Sequence, residues 1–259
     1  MNKLIETRTS GDLNVSVTRL PDMPTFEAEL RALRGLSGKG IAPEVISFDA
    51  RTHTLTIADA GVTLHALRTE HGVSFSPYQI HRLASGIFEC LTKLHAESFC
   101  HSDVSANTIC VQAQTGEDGS FDLDKDFKVQ LVHFGMSFKC DQPLKESLQQ
   151  KEGGSQADRG LVFLDGAQHY GQAADVFGAA ASVVHMIGLW PEGIPVTADS
   201  PAGQIRMARE NLELKRPVKA SSGETISQDL QVVLYSTLNP DPKERPSSKT
   251  SYHLLGLAA

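Results

Sequence analysis

Two short stretches hold the side chains that could do chemistry. Residues 101 to 109 read His101-Ser102-Asp103-Val104-Ser105-Ala106-Asn107-Thr108-Ile109, and residues 129 to 135 read Val129-Gln130-Leu131-Val132-His133-Phe134-Gly135. The first offers an imidazole, a carboxylate, an amide and a hydroxyl. The second offers one imidazole, His133, followed by Phe134 and Gly135. Asp103 could act as a base toward a substrate hydroxyl, or its carboxylate could cap and order the loop through backbone N–H groups. His133 could pair with Asp103, join His101 and Asp103 around a transition metal, or simply pack. It is a poor choice for a hard cation such as Mg²⁺, which prefers oxygen ligands.

The elements that must position these residues can be read from patterning. Val15 to Leu20 alternates and is β-branched, which predicts a strand. Phe26, Leu30, Leu33 and Leu36 recur at helical spacing, with Gly35 and Gly38 as the stop. Two strands follow, at 44–48 and 53–58. Ser76-Pro77-Tyr78-Gln79 is a helix start, with a serine cap, proline at the first position and glutamine three residues on. Residues 112 to 126 are polar and acidic and predict a hairpin tip or loop. From Ala173 to Ile187 the helical pattern is apolar almost all round, so this helix should be buried. Strands with one helix, then helices with one small hairpin, predict an α+β fold with a hinge near Asp59 to Thr63.

The bulk numbers suit this. A chain of 259 residues with 40% hydrophobic and 21% charged residues can bury a large core as one domain, 1–259. A net charge of −7 argues against a nucleic-acid partner, since phosphate neutralisation needs cations. No apolar run approaches the ~20 residues of a membrane span, and the first residues lack the apolar core of a signal peptide. Cys90, Cys100, Cys110 and Cys140 form no C-x-x-C pair and are read as reduced thiols of a cytoplasmic or nuclear protein.

In their order, these pieces resemble a protein kinase over almost the whole chain. Val15 to Thr18 resembles the strand that ends in the phosphate-gripping lysine, and Glu29-Leu30 with Leu33 and Leu36 the helix whose glutamate pairs with it. Leu94-His95 followed by His101-Ser102-Asp103 resembles the catalytic loop. Val129 to Gly135 resembles the metal-binding loop, and Asp175-Val176-Phe177-Gly178 the start of the buried central helix. Leu238-Asn239-Pro240-Asp241-Pro242 with Arg245-Pro246-Ser247 resembles the late motif with a buried arginine. The implied fold is bilobal, with a strand-rich N-lobe over 1–60 and a larger helical C-lobe over 64–259.

The departures fall on the positions that handle charge. Thr18 replaces the lysine; the adjacent Arg19 would face the other way in a strand. His133 replaces the first metal-binding aspartate. Thr108 stands where the second metal ligand, an asparagine, belongs, and Asn107 comes one residue early. Before Val15 only Gly11 is available for a phosphate-cradling loop. Asp103 remains as the one candidate base. Glu29, without its lysine, is expected to be solvated or locally paired. Arg245 is expected to bond Asp165, because Phe163 occupies the place of its usual glutamate, or backbone carbonyls. The resemblance thus implies a pseudokinase with no cofactor and no metal; the alternative is an atypical kinase built on Asp103 with rearranged ligands.

Thr63-Leu64-His65-Ala66-Leu67, Leu94-His95-Ala96-Glu97 and Ala174-Asp175-Val176-Phe177-Gly178 are similar to Bub-type mitotic-checkpoint kinases and pseudokinases, including the Bub-related kinetochore pseudokinase of kinetoplastids. That similarity implies a nuclear, kinetochore-bound interaction module working with checkpoint proteins in chromosome segregation. Other parts of a longer protein would then contact a β-propeller checkpoint partner.

Overall fold

The computed structural model describes residues 3–10, 13–116, 120–140, 171–187, 209–210, 212–213, 217–220 and 222–256. The alternating strand forms as expected. Leu13–Arg19 is β2, pairing antiparallel with β1 (Lys3–Ser10) on one side and β4 (Thr54–Ala58) on the other; β3 (Val45–Asp49) closes the edge, giving the order β1-β2-β4-β3. Val15 and Val17 share one face and are buried; Thr18 on the other face is buried as well, and Arg19 at the strand's end is exposed. Helix α1, Met23–Gly35, packs beside this sheet. Asp22 caps it, its carboxylate accepting from the Thr25 N–H at 2.8 Å.

The chain then passes through 59–61 into a mainly helical half. Gly61 has φ +87°, and a Cβ there would meet the Val111 carbonyl oxygen at 2.2 Å, so only glycine lets the linker lie this close to the next sheet. That sheet is β5 (Val62–Thr63), β7 (Ile109–Gln112) and β10 (Lys128–Leu131), in the order β10-β7-β5. A short helix α2, Leu64–Thr69, precedes α3, Pro77–Ala96. Helix α3 opens with the full capping box: Ser76 accepts from the Gln79 N–H and Gln79 accepts from the Ser76 N–H. The acidic stretch forms a two-residue-strand hairpin, β8 (Gln114–Thr115) against β9 (Phe121–Asp122). Arg82 of α3 holds its base by donating to the carbonyls of Leu123, Asp124 and Lys125.

Helix α4, Gln172–Ile187, is buried at every position from Asp175 to Val184, as its all-round apolar pattern predicts. Gly178 is required there: a Cβ would strike the Val104 carbonyl oxygen at 2.3 Å. Helices α5 (Gln228–Thr237) and α6 (Ser248–Gly256) complete the described part of the larger half. No described helix is long and apolar enough to cross a membrane. This is an α+β arrangement with a strand-rich first part and a helical second part.

One expectation is corrected. Cys100 and Cys140 are joined in a disulfide, so the four cysteines are not all thiols; Cys90 and Cys110 remain free and buried. Strand β6 (Phe99–Cys100) pairs antiparallel with β11 (Phe138–Lys139), and the Cys140 N–H donates to the Ser98 carbonyl at 2.7 Å. Residues forty apart in sequence are thereby neighbours, which no local spacing rule could reveal.

Candidate functional site

The 101–109 loop is held from below by one carboxylate. Asp175, at the start of α4, is almost fully buried and accepts from the backbone N–H of His101 and of Ser102, each at 2.8 Å. His95 Nε2 lies 3.0 Å from the same carboxylate, and its Nδ1 lies 2.9 Å from the Ser248 hydroxyl. Sequence reasoning did not assign His95 a place in the site; the adjacent Leu94-His95 motif was the available signal. These bonds hold Ser102 at φ +66°, a left-handed conformation uncommon outside glycine.

His101 links this loop to the second stretch. It is fully buried, its ring lies 4.6 Å from Phe134, and its Nε2 donates to the Val132 carbonyl at 3.0 Å. Its Nδ1 accepts from the Asp103 N–H at 3.3 Å, which assigns the Nε2–H tautomer. Burial pushes its pKa down to about 4, so it is neutral at physiological pH. Its ring packs on Phe134 and its Nε2–H ties the loop to residue 132.

Thr108, in the second-metal position, is buried and committed to the loop. Its hydroxyl donates to the Asp103 carbonyl at 2.7 Å and accepts from the Ser105 N–H at 2.9 Å. Asn107 sits exposed on the turn beside it, and Asp103 is half-buried. The structure therefore brings Asp103 and Thr108 together and leaves Asn107 outward.

His133 also adopts a left-handed conformation, φ +67° and ψ +56°, and begins the 3-10 turn Phe134–Met136. Burial lowers its pKa, so it carries little charge near neutrality. Among the described residues no group of three His, Cys, Asp or Glu is placed to hold a metal ion.

Glu29 is not the solvated carboxylate that was one of its two expected states. It is neither solvated nor paired with a cation: it is 4% exposed and sits on the turn formed by His133, Phe134 and Gly135. Burial pushes its carboxyl from the usual 4.5 up to about 7, while the backbone N–H groups of Phe134, Gly135 and His133 pull it back down. Oε2 makes no hydrogen bond and is shut off from solvent. The approach is close because residue 135 is glycine: a Cβ there would meet Thr25 Cγ2 at 2.5 Å and Glu29 Oε2 at 3.6 Å. The helix that should offer its glutamate to a lysine instead lays it on the turn. Thr18 is buried and Arg19 exposed, on opposite faces of β2.

Arg245 is 9% exposed and donates to the carbonyls of Asn239, Ala173 and Pro240 at 2.7, 3.0 and 3.1 Å, with its guanidinium 4.7 Å over the Phe177 ring. Backbone carbonyls are thus among its partners; Asp165 and Phe163 lie outside the described residues.

A nucleoside triphosphate with Mg²⁺, which the kinase resemblance would bring, needs cations and oxygen ligands at these places. The residues present do not fit it. The lysine position is a hydroxyl, the Thr108 oxygen is spent on backbone, His133 is close to neutral, and Glu29 adds a carboxyl that titrates near pH 7. No curated protein matches the chain. The family model for the protein kinase domain matches residues 19–254. With that span covering most of its length, and with the loop, turn and buried arginine disposed as described, the chain belongs to the protein kinase domain family.

Proposed function

We propose that this domain is a pseudokinase: an interaction module that neither transfers phosphate nor holds ATP–Mg²⁺. The observation that carries the reading is Glu29. A carboxyl buried on the His133-Phe134-Gly135 turn, with no lysine partner at position 18, keeps the two halves in register without a nucleotide. It also opposes one, because a triphosphate would bring several negative charges toward it and toward Asp103.

The motifs around Leu64, Leu94 and Asp175 further support a place among Bub-type checkpoint proteins, acting in the nucleus at kinetochores with protein partners. That step rests on sequence likeness alone. The enzymatic alternative assigns Asp103 as base with rearranged ligands.

Calorimetric titration with ATP and Mg²⁺ or Mn²⁺, together with a radiolabelled-phosphate transfer assay, tests the reading. No heat of binding, no rise in melting temperature and no transfer are expected. A micromolar dissociation constant, or transfer abolished by Asp103→Ala, overturns it in favour of the atypical kinase. Localisation of a tagged chain in dividing cells tests the finer placement: absence from kinetochores removes that assignment and leaves the nucleotide result untouched.

A further inference from the structure

One covalent bond ties together the two stretches on which the site is built. Cys100 directly precedes His101, and Cys140 closes the segment that follows the His133-Phe134-Gly135 turn. The two sulfurs differ in access. Cys100 is fully buried, whereas Cys140 is exposed, its Sγ accepting from Nε2 of the exposed Gln172 at 3.9 Å. In the folded protein a thiolate can therefore reach only the Cys140 sulfur. Strand β11 has few other holds. Apart from the Gln172 bond, the described hydrogen bonds of 138–140 run to 98–100: the two residue pairs of β6 with β11, and the Cys140 N–H on the Ser98 carbonyl at 2.7 Å. The Lys139 ammonium lies over the Phe99 ring, 5.4 Å from its centroid. So short a ladder is marginal by itself in water. The 101–109 loop has its own anchors, because Asp175 accepts from the N–H of His101 and Ser102, and His101 donates to the Val132 carbonyl.

We infer that Cys100–Cys140 is a reversible redox latch: Cys140 is the entry sulfur for exchange with a thiol of the glutathione class, and opening the bond frees β11 from β6 while the 101–109 loop stays seated. The thiolate attacks Cys140 Sγ and forms a mixed disulfide. The Cys100 sulfur leaves with the electron pair of the broken S–S bond and takes up a proton, the form that burial favours. A second thiol attacks the outer sulfur of the adduct. Cys140 then leaves as a thiolate, toward which Gln172 Nε2–H donates, and is protonated in turn. Two electrons thus pass from two thiols to the bond, the thiols depart as their own disulfide, and that disulfide in excess reverses the sequence. Exposed disulfides are the labile class, and in the nuclear setting proposed above they are usually transient and redox-sensing. The inference rests on that placement only for the source of the thiol.

The test equilibrates the protein with reduced and oxidised glutathione at graded ratios, traps thiols by alkylation and reads each cysteine by peptide mass spectrometry. The glutathione adduct is expected on Cys140 and not on Cys100, and it should form faster than the whole domain unfolds. Amide hydrogen exchange gives the structural readout. Reduction should speed the Cys140 N–H at least ~tenfold and leave the N–H groups of His101 and Ser102 protected. Cys100→Ser, which cannot close the bond, should show the fast Cys140 amide at every glutathione ratio; should that variant fail to fold, the wild-type readouts decide alone. Four results overturn the latch: no bond formed in oxidised glutathione, an adduct on Cys100, reduction no faster than global unfolding, or a Cys140 amide equally protected in both states. None of these readouts involves a nucleotide, so their failure is distinct from failure of the pseudokinase reading.

Discussion

Replacing Glu29 with glutamine separates a buried carboxyl from a solvated one. The wild-type group has a folded pKa of about 7 against an ordinary 4.5. A raised folded pKa means that the fold binds a proton which the unfolded chain releases between those two values. The resulting stability is fully present below pH 4.5 and is lost as pH rises through 7. Integrating the two titrations from pH 5 to pH 8 gives a loss of roughly 2–3 kcal/mol, at 1.36 kcal/mol per unit. Glutamine keeps the shape and cannot ionise, so its pH dependence lacks this component.

Denaturant melts of both proteins across that range therefore supply the assay. Other groups that titrate there are common to both and cancel in the difference. The pH-independent cost of facing an amide to the turn shifts one curve bodily and leaves its slope alone. The expected result is that Glu29→Gln gains about 2–3 kcal/mol on wild type between pH 5 and pH 8, or about 5–10 °C in melting temperature for a domain of this size. Parallel stability curves would refute the reasoning, because they would mean that Glu29 ionises freely and is not shut beneath α1.

Three further outcomes follow from the same coordinates. Val183→Asp, at a site 2% exposed in α4, places an unpaired charge in the core at a cost of several kcal/mol and should abolish cooperative melting; a soluble variant with a sharp transition contradicts it. Arg245→Lys retains the charge but cannot span three carbonyls, so a loss of about 3 kcal/mol in chemical denaturation is expected, and an unchanged midpoint argues against the bonding described. The Cys100–Cys140 bond closes a loop of sequence separation 40, and reduction should cost up to ~4 kcal/mol by chain entropy; dithiothreitol should lower the melting point of wild type and leave Cys100→Ser unmoved.

What could be read from the sequence was local. Ser76, Pro77 and Gln79 signal the start of α3 because a capping box is satisfied within four residues. The apolar circumference of α4 needs no partner to be recognised. Arg245 was singled out by the resemblance of 238–247 to the late kinase motif; a buried guanidinium then demands acceptors, and which ones it meets depends on chain that is distant in sequence. The disulfide and the seat of Glu29 were illegible for one reason: each depends on a long-range approach. Cys140 reaches Cys100 only through the β6–β11 pairing, and Glu29 is buried only because Gly135 lets α1 descend onto the turn. Sequence reasoning expected Glu29 to be solvated or locally paired, on the ground that unpaired buried charge is costly. The protein meets that cost by raising the pKa, so that near neutrality the group is about half protonated.

This contrast explains why a kinase frame can outlast the residues that would serve a nucleotide. Asp175, His101 and Arg245 bond to backbone groups of their own fold: the N–H of 101 and 102, the carbonyl of 132, the carbonyls of 173, 239 and 240. Their partners exist whatever the chain binds, and losing any of them strands a buried polar group. Positions 18, 108 and 133 would face a ligand, so substitution there leaves the fold with no unmet bond once the new side chain turns inward. Thr108 does this by closing its own loop, whereas Glu29 lies against the backbone N–H groups of His133, Phe134 and Gly135 and keeps one unbonded oxygen. The side chains described at the cleft are thus bonded largely within the fold; on the proposed pseudokinase reading, such internal contacts would let the domain present a constant surface to a protein partner.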